Sequence, residues 1–192
     1  MSLEQRQYLT AKFKEFIAAV HSSQESNLPV RTPYQWQIRL MLYVAEHGHW
    51  PRSIGAPTAS GKTSVIDIHV FLNAMAGLSL VEGNGLFDLP LRNIPRRLAL
   101  TVNRRSLVDD QFDEACALQD KMQIEHVAND GLDVYRDGLK LRAAINGGTK
   151  SDSAIPRMIA VELRGSISPD REWRYYPQTC AVICATPDMF GS

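Results

Sequence analysis

The sequence predicts an α/β fold built on a mostly parallel sheet with helices on both faces. Three observations predict it. Short apolar runs recur along the chain (Arg97–Val102, Met158–Leu163, Cys180–Ala185). Stretches with helical spacing lie before and between them. A turn of small residues ending in Gly61-Lys62-Thr63 joins an extended segment to a helix. Strands alternating with helices favour parallel pairing, because a parallel neighbour is reached only through a crossover.

In chain order, Leu9, Phe13, Phe16, Ile17 and Val20 recur at helical intervals and predict a helix over about 3–21. The polar stretch 24–32 contains Pro29 and reads as a connector. Residues 1–31 are thus set apart as a helix and connector, and 32–192 form the main unit. Thr32 is the expected cap of the next helix, with Pro33 at its first position. That helix carries Trp36, Ile38, Leu40, Met41 and Tyr43 and stops near Gly48. Arg52–Ala56 is a candidate strand, and a helix over about 62–76 follows the small-residue turn. The stretch 77–95, with Gly77, Gly83, Gly85, Pro90 and Pro95, reads as a long connection. A strand over Arg97–Val102 leads to a helix from Ser106 to about Gln123. A strand is expected around Leu139–Ala143, and Met158–Leu163 and Cys180–Ala185 complete the sheet.

Hydrophobic residues at 44% and charged residues at 22% exclude a wholly disordered chain, a collagen-like chain and a disulfide scaffold. The 21 basic and 21 acidic side chains cancel, so no global basic field points to nucleic acid. Three cysteines (Cys116, Cys180, Cys184) suit a reducing compartment, and the last two read as small apolar residues of a buried strand. No run approaches the ~18 apolar residues of a membrane helix. The charged amphipathic N-terminus lacks a signal-peptide core. These features predict a cytoplasmic protein without a membrane partner. His47 and His49 have no carboxylate cluster beside them and read as a helix end, not as metal ligands.

Ala56-Pro57-Thr58-Ala59-Ser60-Gly61-Lys62-Thr63 carries the most specific local chemistry. The backbone N–H groups of such a turn converge on phosphate oxygens, aided by the positive end of the new helix. Gly61 lets the backbone come close, Lys62 binds the β- and γ-phosphates, and Thr63 sets its hydroxyl on Mg²⁺. Thr58, Ala59, Ser60, Gly61, Lys62 and Thr63 are therefore the candidate ATP contacts. Lys62 and Thr63 are also the candidate catalytic groups, and Thr63 the metal ligand. Ala56 stands where the strict pattern opens with Gly. The plainer alternative is a strand–turn–helix that merely contains Gly-Lys-Thr. From Leu91 to Arg105 there are five arginines and no acid. There Asn103, Arg104 and Arg105 offer an amide and guanidinium groups to phosphates. A solvated loop, or pairing with Asp109 and Asp110, is the alternative.

Ala56–Thr63 resembles motif I of superfamily 2 helicases. Pro33-Tyr34-Gln35-Trp36-Gln37 resembles the segment with which such helicases recognise adenine, and Leu98–Asp109 resembles motif Ia. Leu163-Arg164-Gly165 followed by Asp170-Arg171-Glu172-Trp173 is similar to a further segment of one group. So is Ala181–Ser192 with its Thr-Pro-Asp-Met. Together these segments resemble the start of the helicase part of the type I CRISPR-associated helicase–nuclease. The resemblance implies a P-loop NTPase fold, namely a first RecA-like lobe incomplete at its C-terminus. It implies ATP and Mg²⁺ as cofactors and ATP-driven 3′→5′ movement on single-stranded DNA in antiviral defence. A CRISPR surveillance complex is the implied further partner. It places Gln37 at adenine, with Gln35 as a competitor and a solvent-facing helix residue as the plain alternative. It places Asn103, Arg104, Arg105, Arg164, Gly165, Thr186 and Pro187 at DNA. On its own, Thr186-Pro187 is simply a helix start. Two positions depart from the family pattern: Ala59 and Ser166 stand where Gly is common.

Hydrolysis in this class needs carboxylates for Mg²⁺ and for the attacking water, placed after an apolar strand. Asp113-Glu114-Ala115-Cys116 resembles that element but lies inside the helical run Leu107, Val108, Phe112, Ala115, Leu118. It therefore reads as a charged helix face. In family order the true motif would follow Ser192, so the isolated chain is expected to bind nucleotide poorly and not to turn it over. Two other classes compete: a different phosphate-loop enzyme such as a small kinase, and a non-enzymatic remnant that ATP stabilises without being hydrolysed.

Overall fold

The computed structural model describes residues 1–22, 30–56, 61–80, 90–144, 155–163 and 172–190. Among the described residues three strands, β1 (Arg97–Thr101), β2 (Met158–Leu163) and β3 (Cys180–Ala185), pair in parallel in the order β1-β3-β2. The registers set Arg97 beside Ala181 and Thr101 beside Ala185, and Met158 beside Cys180. β3 is buried at every position, as an apolar strand flanked by two others must be. β1 alternates between exposed and half-buried residues. The α/β class and the parallel sheet predicted from the alternation are thus present. The expected small apolar role of Cys180 and Cys184 holds, since both are buried free thiols pushed up to about 12 by desolvation.

Helices stand on both faces, unequally. The long helices are α1 (Leu3–Val20), α2 (Gln35–His47), α3 (Val65–Leu78), α4 (Arg105–Gln123) and α5 (Asp133–Ala144). Their buried apolar residues join one cluster with Met158, Ala160, Cys180, Val182 and Cys184. The opposite face presents Ile159, Val161, Leu163, Ala181, Ile183 and Ala185. Among the described residues it is met by Trp173 of the one-turn α6 (Glu172–Tyr175), Tyr176 and Met189.

α1 enters the main core through aromatic contacts. Phe13 and Phe16 lie 5.1 and 5.6 Å from Phe71 of α3, and Phe16 lies 4.9 Å from Tyr135 of α5. α3 and α5 approach so closely that a Cβ on Gly77 would stand 1.7 Å from the Gly138 carbonyl oxygen. α4 is fixed along β2 by side chains that imitate a strand. Gln119 accepts from the Ala160 N–H, and Gln123 donates to the Met158 carbonyl at 2.8 Å while accepting from the Arg157 N–H. The outer edge of β2 is thereby covered at Met158 and Ala160.

Three expectations are corrected. Leu139–Ala143 is helix, not strand: its apolar–polar alternation mimics period two, yet Lys140 and Leu141 are exposed while Leu139, Arg142 and Ala143 are buried. Tyr135, Leu139 and Ala143 supply the helical stripe, and Arg142 is admitted because its guanidinium donates to the Ile94 carbonyl at 2.8 Å. Arg52–Ala56 forms no strand, its first four residues being exposed without a ladder partner among the described residues. α2 starts at Gln35 with Tyr34 as cap, not at Pro33 with Thr32, because Gln37 Oε1 reaches back to accept the Tyr34 N–H at 2.7 Å. Its other end is as expected, with Gly48 at φ 70° closing the helix.

Candidate functional site

Gly61 sits at φ 70°, ψ 46°, in the left-handed region that a side chain disfavours. Its carbonyl accepts the Ser64 N–H at 3.1 Å, which starts a 3₁₀ turn, Lys62–Ser64, that runs into α3. The Lys62 and Thr63 amides precede the first helical hydrogen bond and so have no acceptor within the helix. Lys62 is exposed and Thr63 half-buried. Thr58, Ala59 and Ser60 lie outside the described residues.

Gln37 is brought to this turn from α2 and is 3% exposed. Its Nε2 donates to Gly61 O at 3.2 Å and to Ser64 Oγ at 2.8 Å. With Oε1 engaged at Tyr34, the amide is committed to its own protein. Gln35 is exposed. A Cβ on Gly61 would come within 3.2 Å of Gln37 Nε2, 3.3 Å of Ser64 Oγ and 3.5 Å of Tyr34. Glycine is required here both for backbone sign and for room.

One residue at the turn was misread from sequence. Asp113 is exposed as expected, but Glu114 is half-buried. Burial raises the Glu114 pKa above the ordinary value and the neighbouring Asp67 carboxylate adds to that. The Thr63 hydroxyl and the charges of His21 and Arg31 pull the other way. Asp67 is itself buried, with His21 Nε2 at 3.0 Å, and Arg31 stands 3.1 Å from His21 Nδ1. These groups border a cavity of about 160 Å³ between α1, α3 and α4. The signal available in sequence was that Glu114 precedes the buried Ala115, so it lies at the margin of the apolar stripe. The Thr63 hydroxyl offers one hard oxygen donor at the turn, which suits Mg²⁺ held mainly by nucleotide phosphates. Among the described residues no group of three or more His, Cys, Asp or Glu side chains is placed to hold a metal by itself.

Those of the residues expected at DNA that are described lie at one end of the sheet. Asn103, Arg104 and Arg105 follow β1 and are exposed, while Thr186 and Pro187 follow β3. Strand pairing brings these two segments together, and Val102 N donates to Ala185 O at 3.1 Å. The Thr186 hydroxyl hydrogen-bonds to Asp188 and, with Arg105 nearby, holds that carboxyl below its ordinary range. Arg164 and Gly165 lie outside the described residues. Arg96 and Arg97 are at the opposite end of β1, roughly 15 Å away at ~3.3 Å per residue. Arg96 donates to the carbonyls of Arg142 and Gln178, and the Arg97 guanidinium lies 4.9 Å from the Trp173 ring centre. The arginine-rich stretch is therefore not one surface.

No helix among the described residues is long and apolar enough to cross a membrane. No protein-family model, curated protein or solved structure matches the chain.

Proposed function

We propose that the chain is the ATP-binding, RecA-like lobe of a superfamily 2 DNA helicase. It would act within a longer motor on single-stranded DNA in CRISPR-type antiviral defence. The supporting observation is the left-handed Gly61 followed by Lys62 and Thr63 at the start of α3, with Gln37 bracing the turn from α2. In this reading the Lys62 ammonium binds the β- and γ-phosphates and the Lys62 and Thr63 amides complete the cradle. Gln37 keeps the adenine-side helix in register with that cradle. Mg²⁺, when bound with nucleotide, would neutralise charge on the phosphates. Asn103–Arg105 and Thr186–Pro187, side by side at the carboxyl edge of the sheet, would meet the DNA backbone. Ligands of open parallel sheets gather at that edge. Turnover would need an arginine from a second lobe, so the isolated chain is expected to bind nucleotide weakly and without sustained hydrolysis.

Isothermal calorimetry with ATP and Mg²⁺ tests this reading. Lys62→Ala is expected to weaken binding tenfold or more. Unchanged affinity in that variant would remove the nucleotide reading.

A further inference from the structure

We propose that His21 is a proton-operated latch. Neutral, it ties the segment that enters α2 to α1 and α3; protonated, it releases that segment and keeps its hold on α3. The residue closes α1 as its C-terminal cap and stands between two partners. Its Nε2 lies 3.0 Å from Asp67 Oδ2 on α3, and its Nδ1 lies 3.1 Å from Nη1 of Arg31. A guanidinium can only donate, so Nδ1 offers its lone pair there. A neutral ring then carries its proton on Nε2, which donates to the Asp67 carboxylate. The two contacts together fit one form of the ring, the neutral Nε2–H tautomer. Arg31 follows His21 by ten positions, so the contact returns the chain to the point at which it left α1.

A second proton changes the two contacts in opposite ways. An Nδ1–H would face the Arg31 donor, with like charge against like charge, and that bond is lost. The Nε2–H bond to Asp67 becomes charge-assisted on both sides and strengthens. Burial confines the change to one partner. The Asp67 side chain is 3% exposed and that of His21 17%, whereas Arg31 is an exposed residue that water can receive. The other charged groups beside the ring come from α4, since Glu114 and Lys121 line the same cavity as His21, Arg31 and Asp67. Lys121 donates to the Val20 carbonyl. Asp67 and Glu114 favour the imidazolium, and Arg31 and Lys121 oppose it. The last turn of α1, Ile17–Val20, carries no charged side chain. The plain alternative is a fixed tie, in which the ring only holds α1 to α3.

Nitrogen-15 NMR of the full 192-residue chain, without nucleotide, separates the two roles. The spectra run between about pH 8 and pH 5, the window in which histidines change charge. At the upper end the side-chain nitrogens of His21 should report the Nε2–H tautomer, and an Nδ1–H tautomer would overturn the proposal. As the ring titrates, the amide signals of Val30, Arg31 and Thr32 should move with the same midpoint. Arg31→Ala should shift the His21 midpoint to higher pH by about half a unit or more, because a cation that needs the lone pair is gone. In His21→Gln, which cannot titrate, the pH-dependent movement at 30–32 should vanish. Arg31 is exposed, so its variant keeps the test intact if His21→Gln disturbs the core. Signals at 30–32 that ignore the His21 midpoint, or that move alike in His21→Gln, would establish the fixed tie instead. So would an unmoved midpoint in Arg31→Ala.

Discussion

The two ends of α3 both depend on glycine, for opposite reasons. At the amino end, Gly61 is needed for a backbone conformation, and polar groups from α2 close around it. Near the carboxyl end, Gly77 lies within the helix and is needed for proximity, because the α5 backbone occupies the space a side chain would fill. The first requirement is local and travels with a short motif. The second exists only once two distant segments have packed.

The largest effect should therefore come from the end that has no motif. Gly77→Ala ought to stabilise an isolated helix by ~1 kcal/mol. In the folded chain its Cβ would stand 1.7 Å from Gly138 O, so the helices must part. A net loss of ~3 kcal/mol or more in urea unfolding is expected, at the upper end of overpacking costs. A stabilised variant would show that the α3–α5 contact is wrong.

His69, midway along α3, should give the next effect. Its imidazole is fully buried, with Nε2 3.3 Å from the Arg96 carbonyl, and burial lowers its pKa from 6.5 to about 4. Between those values the unfolded chain binds the proton better. The stability from keeping the ring neutral is complete above 6.5 and drains as pH falls toward about 4. A loss of ~2 kcal/mol is expected between pH 7 and pH 5. The His69→Gln variant should flatten that slope, and an unchanged slope would assign it to other groups.

The smallest stability effect belongs to the motif end. Gly61→Ala should cost ~1–2 kcal/mol for the left-handed backbone. ATP affinity should fall further than stability does, because the substituted Cβ presses on Gln37 and Ser64. Equal losses of both would mean that the turn is only structural.

Legibility followed the same division. The strands Met158–Leu163 and Cys180–Ala185 were readable because each is a short apolar run, and burial of β3 on both faces needs no finer pattern. α5 was not readable around Leu139. Its buried Arg136 and Arg142 break the apolar periodicity and are tolerated only because Asp130, Asp133 and the Ile94 carbonyl receive them. Glu114 was not readable either, since a carboxylate on an amphipathic helix belongs to the solvent face unless something fixed meets it.

By itself the sequence determined the α/β class, the glycine at position 61, the helix that Lys62 and Thr63 begin and the end of α2 at Gly48. Each follows from the torsional freedom of one residue or the spacing of near neighbours. Tertiary structure alone decided that β3 lies between β1 and β2, that Gly77 meets Gly138, that Gln37 braces the turn and that Glu114 shares a cavity with Asp67. The physical reason is common to all four. Each depends on groups far apart along the chain, whose meeting is set by burial and backbone approach, not by the local residue pattern.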